Sequence, residues 1–177
     1  MKYQDCVETG QAADEDGETT NAPRLADANI NRATGLATDY LNHFNGAIML
    51  LEMLSDCPEC LDDFLGWRPM SYREHFMASR FKGRDIVIAA YDAADPNLRN
   101  CLDTLAGTMT AVLEATRAAM RADMPREAAT VLANRAAAWL RPLVARAGAV
   151  INGQTDAGMS EPIMPQAVVD GLMKQSA

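Results

Sequence analysis

Two cysteines three positions apart, Cys57 and Cys60, form a Cys-Pro-Glu-Cys motif with the spacing of a metal-binding or redox-active pair. Thiolates at this spacing bind zinc, and a thiol near the start of a helix often has a lowered pKa. A structural zinc ion needs further ligands, and His75 is a candidate only if the fold brings it close. The alternative is that two small side chains pack half-buried, without chemistry. We keep Cys57, Cys60 and His75 as metal or redox candidates and expect no cofactor.

A further candidate is His43, which opens the run H-F-N-G-A-I over residues 43–48, with L-E-M-L following over residues 51–54. These segments resemble the phospho-acceptor helix of dimeric histidine phosphotransferases, and the resemblance implies that His43 accepts a phosphoryl group. In that family an acidic residue usually follows the histidine directly, whereas Phe44 stands there in this chain. The alternative is a structural histidine that makes a polar contact where two helices meet.

Patterns typical of other enzymes are absent from the sequence. It contains no nucleophile elbow, no P-loop and no dinucleotide fingerprint. Glu52 and His43 point nearly opposite ways on one predicted helix, so they cannot share a local site. A di-iron bundle would need Glu-x-x-His motifs on two helices, and the sequence has none. We therefore expect a non-catalytic protein rather than an enzyme.

The helix predicted from Asp39 to Leu54 is apolar on two sides. Gly46, Met49, Leu50 and Met53 fill one side, and such a helix is expected to be buried on both, either inside the monomer or at a dimer interface. Met49 and Met53 are the expected interaction surface, since methionine adapts to varied partners. The other side follows the i, i+3, i+4, i+7 spacing of a helical stripe. That stripe consists of Ala37, Tyr40, Leu41, Phe44, Ile48 and Leu51.

Helix start signals organise the rest of the chain. Ser71 and Glu74 form a capping box, and Asp95 followed by Pro96 is a typical helix start. Pro142 falls inside a long helical pattern and should kink it. The predicted further helices cover residues 58–65, 71–80, 84–94, 96–121, 125–153 and 165–174. The fold class is therefore all-α: a helical bundle of three long helices plus short helices.

The first 22 residues differ in composition from the rest of the chain. They hold six acidic residues against one lysine, with almost nothing apolar after Val7. A segment that buries so little apolar area cannot offset its ordering entropy, so residues 1–22 are predicted to be a disordered acidic tail. Residues 23–177 are predicted to form a single all-helical domain.

Charge and hydropathy narrow the partners and the location. The net charge of −8 argues against nucleic acid, because binding to phosphates depends on Lys and Arg. The N-terminus has no apolar leader, and the longest apolar run, Gly46 to Leu51, is too short to span a membrane. We expect a cytoplasmic location without membrane contact. The excess of 13 Arg over 3 Lys is typical of GC-rich bacterial genomes.

These observations favour a non-catalytic interaction or regulatory protein that binds a protein partner or itself, with a homodimer expected. The first alternative is a histidine phosphotransfer module that uses His43. The second alternative is a small metal- or thiol-dependent protein that uses Cys57 and Cys60.

Overall fold

The computed structural model describes residues 29–121 and 124–154. Within them the regular elements are helices, together with an isolated β-bridge between Ile30 and Ala37. A 3₁₀ turn (Thr38–Tyr40) precedes α1 (Leu41–Met53), α2 (Cys60–Gly66), α3 (Tyr72–Ala78), α4 (Arg84–Ala93), α5 (Pro96–Arg121) and α6 (Arg126–Ile151). The all-α prediction is confirmed for these residues, whereas the predicted tail over residues 1–22 and the helix over 165–174 lie outside them. None of the described helices is both long and apolar enough to cross a membrane.

Helix α6 packs against both α1 and α5. Its most extensive contacts are with α5 and with α1. Its buried face is rich in alanine, which lets neighbouring helices approach closely. The buried residues of α6 are Ala129, Ala133, Ala136, Ala137, Leu140, Leu143, Ala147, Val150 and Ile151.

Helix α1 runs antiparallel to α6. Leu41 at the start of α1 lies against Gly148 near the end of α6. Near the end of α1, Glu52 accepts two hydrogen bonds from Arg141, one from Nε at 2.9 Å and one from Nη2 at 2.6 Å. Helix α1 has 13 residues, whereas α5 and α6 have 26 each. Together with the 3₁₀ turn directly before it, α1 covers nearly all of the helix predicted over residues 39–54, and α6 packs against both α1 and α5.

Two predicted capping signals are present as hydrogen bonds. The Ser71 amide donates to Glu74 Oε2 at 2.7 Å, and the Glu74 amide donates to Ser71 Oγ at 3.3 Å, which completes the capping box of α3. Asp95 Oδ1 accepts from the Asn97 amide at 2.7 Å at the start of α5. Local chemistry therefore determines where α3 and α5 begin.

The segment before α1 ties several helices together. Thr34 Oγ1 donates to the Ile151 carbonyl at 2.6 Å, at the end of α6. The Ala37 amide donates to the hydroxyl of Tyr72 in α3 at 2.9 Å, and this bond is buried. The short segment therefore holds α3 and α6 in a fixed relation to the start of α1.

Two glycines give a matched test of the packing. Gly107 lies within α5 with no described atom within 4 Å of the place of a Cβ. Gly107→Ala should therefore raise the free energy of unfolding by about 0.5–1 kcal/mol, through helix propensity. Gly35 has a φ of +72°, and a Cβ there would lie 2.9 Å from the Ala90 carbonyl oxygen. Gly35→Ala should lower the same quantity by about 1–3 kcal/mol. Urea denaturation measures both variants, and shifts of the same sign would contradict the described packing.

Candidate functional site

Many of the aromatic and histidine rings among the described residues pack in one continuous cluster. At one end the rings of His43 and Trp67 stack at 4.8 Å, and at the other those of Tyr72 and Tyr91 stack at 4.3 Å. Tyr40 joins the two ends, because its ring lies 5.2 Å from that of Tyr72 and 5.8 Å from that of His75. The aromatic cluster, as we call it, consists of Tyr40, His43, Phe44, Trp67, Tyr72, His75, Phe76 and Tyr91.

Helical spacing positions most of these rings. The cluster contains two triplets spaced i, i+3, i+4, which places each triplet on one face of its helical segment. The first triplet spans the 3₁₀ turn and the start of α1, and the second lies on α3. Ring contacts join the two triplets directly. The triplets are Tyr40, His43 and Phe44, and Tyr72, His75 and Phe76.

The half-buried ring of His43 packs against Phe44, Trp67 and His75. Its Nε2 is buried and has no hydrogen-bond partner among the described residues. The polar contact of His43 comes instead from its backbone, whose carbonyl accepts from Trp67 Nε1 at 3.3 Å. Burial lowers the pKa of His43 to about 4, and the neighbouring His75 adds to the shift. A phospho-acceptor nitrogen must be open to its donor, so phosphoryl transfer to Nε2 would require the surrounding rings to move.

His75 lies beside His43, with ring centroids 5.9 Å apart. Burial lowers the pKa of His75, and Asp39 opposes part of that shift. The sequence made His75 a possible ligand partner of Cys57 and Cys60. Within residues 29–121 and 124–154, however, no group of three or more His, Cys, Asp or Glu side chains is placed to hold a metal ion.

A cleft of about 530 Å³ opens at the tyrosine end of the aromatic cluster. Tyr40 and Tyr72 form its floor and are each only 2% exposed. The Tyr91 hydroxyl donates to both carboxylate oxygens of Asp103, at 2.8 and 2.7 Å. The Tyr40 hydroxyl donates to the Met70 carbonyl at 3.0 Å. The tyrosine cleft, as we name it, is lined by Tyr40, Pro69, Met70, Ser71, Tyr72, Arg73, Glu74, Tyr91, Asp103, Ala106, Gly107 and Thr110.

The two motif cysteines lie together between α1 and α2. Their Sγ atoms are 2.8 Å apart, with Cys60 buried and Cys57 half-buried. The hydrogen bond between them raises the pKa of Cys57 to about 11, and burial adds to the shift. Cys57 therefore keeps its proton at neutral pH, which is the opposite of the lowered pKa that the motif suggests.

The outward side of α1 carries the two predicted interaction residues. Met49 and Met53 lie one turn apart and are 54% and 43% exposed. Gly46 lies three positions before Met49, on the same side, with no described atom within 4 Å of the place of a Cβ. We call these three residues the α1 face. Leu50, the fourth residue predicted on this side, is half-buried against the core, so this side is only partly covered within the described residues.

Sequence reasoning did not identify the tyrosine cleft. The sequence predicts Tyr40 only as part of a core stripe and does not single out Asp103. One local signal was available, since the capping box fixes Tyr72 as the first residue of α3. The pairing of Tyr91 with Asp103, however, joins two helices and depends on how they pack.

The two half-buried histidines make the stability of the fold depend on pH. Burial favours neutral His43, so its pKa is about 4 in the fold against 6.5 for the free side chain. The unfolded chain then binds the proton more tightly, and the free energy of unfolding falls as the pH drops from 6.5 towards 4. Lowering the pH from about 7 to about 5 should therefore reduce the free energy of unfolding by about 1 kcal/mol through His43, after allowance for solvent screening.

Urea denaturation at the two pH values measures this loss. The chain has two histidines, so His43→Phe should reduce the pH difference, and the double variant with His75→Phe should remove what histidine contributes. A His43→Phe variant that kept the full difference would show that another group is responsible.

The cysteine pair should form an internal disulfide with glutathione disulfide as the oxidant. One thiolate displaces one glutathione, and the other displaces the second, so the chain loses two hydrogens, about 2 Da. The rate should rise with pH, because the raised pKa of Cys57 limits its thiolate at neutrality. Mass spectrometry measures the product. In Cys60→Ser the mixed glutathione adduct should persist at Cys57, and the same persistence in the native chain would contradict the described proximity.

Comparison with known proteins does not assign the chain to a family. No protein-family model matches the chain. No curated protein and no solved structure matches it either.

Proposed function

We propose that the chain is a non-catalytic interaction protein that acts as a homodimer through the α1 face. The observation that carries the proposal is the exposure of Met49 and Met53, at 54% and 43%. Other apolar residues of α1, namely Leu41, Phe44, Ala47, Ile48 and Leu51, are buried in the core.

The exposed methionines are adjacent rather than scattered. Single exposed apolar residues are common on protein surfaces and need no explanation. Met49 and Met53, in contrast, are spaced i, i+4 and form one continuous strip with Gly46. Burying such a strip contributes about 25 cal/mol per Å² of apolar area removed from water. The flexible side chain of methionine fits the irregular surface of a partner.

Gly46 is an independent indication of a close partner. Glycine inside a helix costs about 1 kcal/mol relative to alanine. Nothing in the described residues requires it, because a Cβ at this position would meet open space. A second helix that crosses α1 at Gly46 would use the missing side chain, since its backbone could then approach closely.

The charges favour a second copy of the chain as the partner that covers the α1 face. An isologous interface sets the same surface against itself, so a charge at its centre would meet its own copy. The three residues of the α1 face carry no charge, and Glu52, next to Met53 in the chain, is already paired with Arg141. The two copies each carry a net charge of −8. Their association should therefore strengthen with added salt, which screens the repulsion.

The test substitutes a charge on the α1 face and compares it with an equivalent charge elsewhere. Met49→Lys should weaken dimerisation by at least about thirtyfold, because the interface would bury an unpaired ammonium. Met77→Lys is the matched control, since Met77 is 56% exposed on α3. Analytical ultracentrifugation over a concentration series measures both.

Two further results decide the proposal. Gly46→Ala should leave the helix content unchanged and weaken the dimer, because the added methyl group blocks close approach. A native chain that stays monomeric at all concentrations would overturn the proposal, and so would equal weakening by Met49→Lys and Met77→Lys.

A thiol-dependent role is the second candidate, and one observation favours it. The Sγ atoms of Cys57 and Cys60 lie 2.8 Å apart, and the pair follows the α1 face directly in the chain. A disulfide here would fix the connection between α1 and α2. The enclosed Nε2 of His43 gives the phosphotransfer alternative no comparable support.

A further inference from the structure

We propose that the tyrosine cleft binds a small organic cation, namely a primary amine with an apolar body. The proposal is independent of the α1 face and of dimerisation. It rests on the shape of the cleft, on its charges and on the hydrogen-bonding groups that line it.

The cleft has the size and construction of a ligand site. Its volume of about 530 Å³ lies within the range of about 300–1,000 Å³ found for small-molecule pockets. Its walls come from the 3₁₀ turn, the loop before α3, and helices α3, α4 and α5. Pro69, Met70 and Ala106 supply apolar surface for the body of a ligand.

The charges of the cleft favour a cation. Two carboxylates line it, those of Glu74 and Asp103. Both act on the same phenol: burial raises the pKa of Tyr40 to about 12, and Asp103 and then Glu74 add to the shift. The one guanidinium among the described lining residues belongs to Arg73, and it is held in an ion pair with Asp92. An anionic ligand would therefore meet two carboxylates and an arginine that is already occupied.

A second arginine lies close to the cleft. The guanidinium carbon of Arg99 lies 5.8 Å from the centre of the Tyr91 ring. Burial and Asp103 raise the pKa of Tyr91, and Arg99 opposes part of that shift. Arg99 is not among the described residues that line the cleft, whereas Glu74 and Asp103 are.

The cleft presents hydrogen-bond acceptors. The single hydroxyl proton of Tyr91 is shared between the two oxygens of Asp103. A carboxylate has about four lone-pair positions, so Asp103 keeps acceptor capacity for an ammonium group. The Tyr40 hydroxyl donates its proton to the Met70 carbonyl, so this proton is not available to a ligand.

Gly107 keeps the α5 wall of the cleft open. It lies inside a long helix, where glycine is unfavourable, and a Cβ would meet no described atom within 4 Å. The space that a side chain would occupy is therefore available to a ligand. A large residue at this position should fill the cleft while leaving the packing of α5 on α6 intact.

Three probes of similar shape test the charge preference on the full-length protein. They are 2-phenylethylammonium, neutral 2-phenylethanol and anionic phenylacetate. Isothermal titration calorimetry should give a dissociation constant of about 1 mM or tighter for the ammonium, which suits a ligand of this size. The alcohol and the acid should bind at least about tenfold more weakly, because they lose the charge-assisted hydrogen bond.

Two substitutions and a control locate the binding. Asp103→Asn keeps an acceptor for Tyr91 and should weaken ammonium binding at least about tenfold. Gly107→Leu should abolish it, and circular dichroism confirms that the variant is folded. Asp85→Asn removes the same charge from an exposed position on α4 and should leave the affinity within about twofold. The proposal is overturned if phenylacetate binds as tightly as the ammonium, if Asp103→Asn has no effect, or if no probe binds.

Discussion

The small size of the side chains on α6 is the constraint on which the fold depends. Alanines keep the buried face of α6 narrow, and residues such as Ala133 and Ala147 are completely enclosed. Because the helix presents so little volume, α1 and α5 approach closely and their large residues fill the core from both helices. Phe44 and Ile48 on α1, and Leu102, Met109 and Leu113 on α5, are all fully buried. A larger residue in the alanine face would separate the helices and open the core that holds α1 in place.

The position of α1 in turn determines the aromatic cluster and the cleft. Tyr40 and His43 stand at the start of α1, so docking α1 on α6 sets where their rings meet those of α3. The short helices α3 and α4 are held by those rings, by their mutual contact and by the buried bond from Ala37 to Tyr72. The tyrosine cleft is the space that remains between α3 and α5. The cleft thus lies where a ring cluster, rather than direct helix packing, holds the smaller helices.

Local features of this fold were predictable, and the pairings between distant residues were not. Ser71 with Glu74 and Asp95 with Asn97 act within one turn, so the sequence alone predicts the starts of α3 and α5. The packing of α6 against both α1 and α5 depends on which apolar faces meet. The same holds for the site: the pairs His43–His75 and Tyr91–Asp103 join different helices, and periodicity carries no information on them. Met49 and Met53 were predicted as surplus apolar residues, and their exposure follows from the way α1 docks.

Two glycines occupy helical positions at which the fold itself does not require glycine. Most described glycines have a local reason: a positive φ, a helix end, or a neighbour that a side chain would meet. Gly46 and Gly107 have none, since each lies inside a helix with open space around the missing Cβ. Departures from locally optimal sequence are expected at functional positions, where another requirement outweighs stability. Gly46 is one of the three residues of the α1 face and Gly107 lines the tyrosine cleft, so both positions lie on the two surfaces that we propose as binding surfaces. A positive φ, a helix end or a close neighbour accounts for Gly35, Gly66, Gly83 and Gly153, whereas a Cβ at Gly148, inside α6, would make an ordinary contact with Leu41 at 3.7 Å.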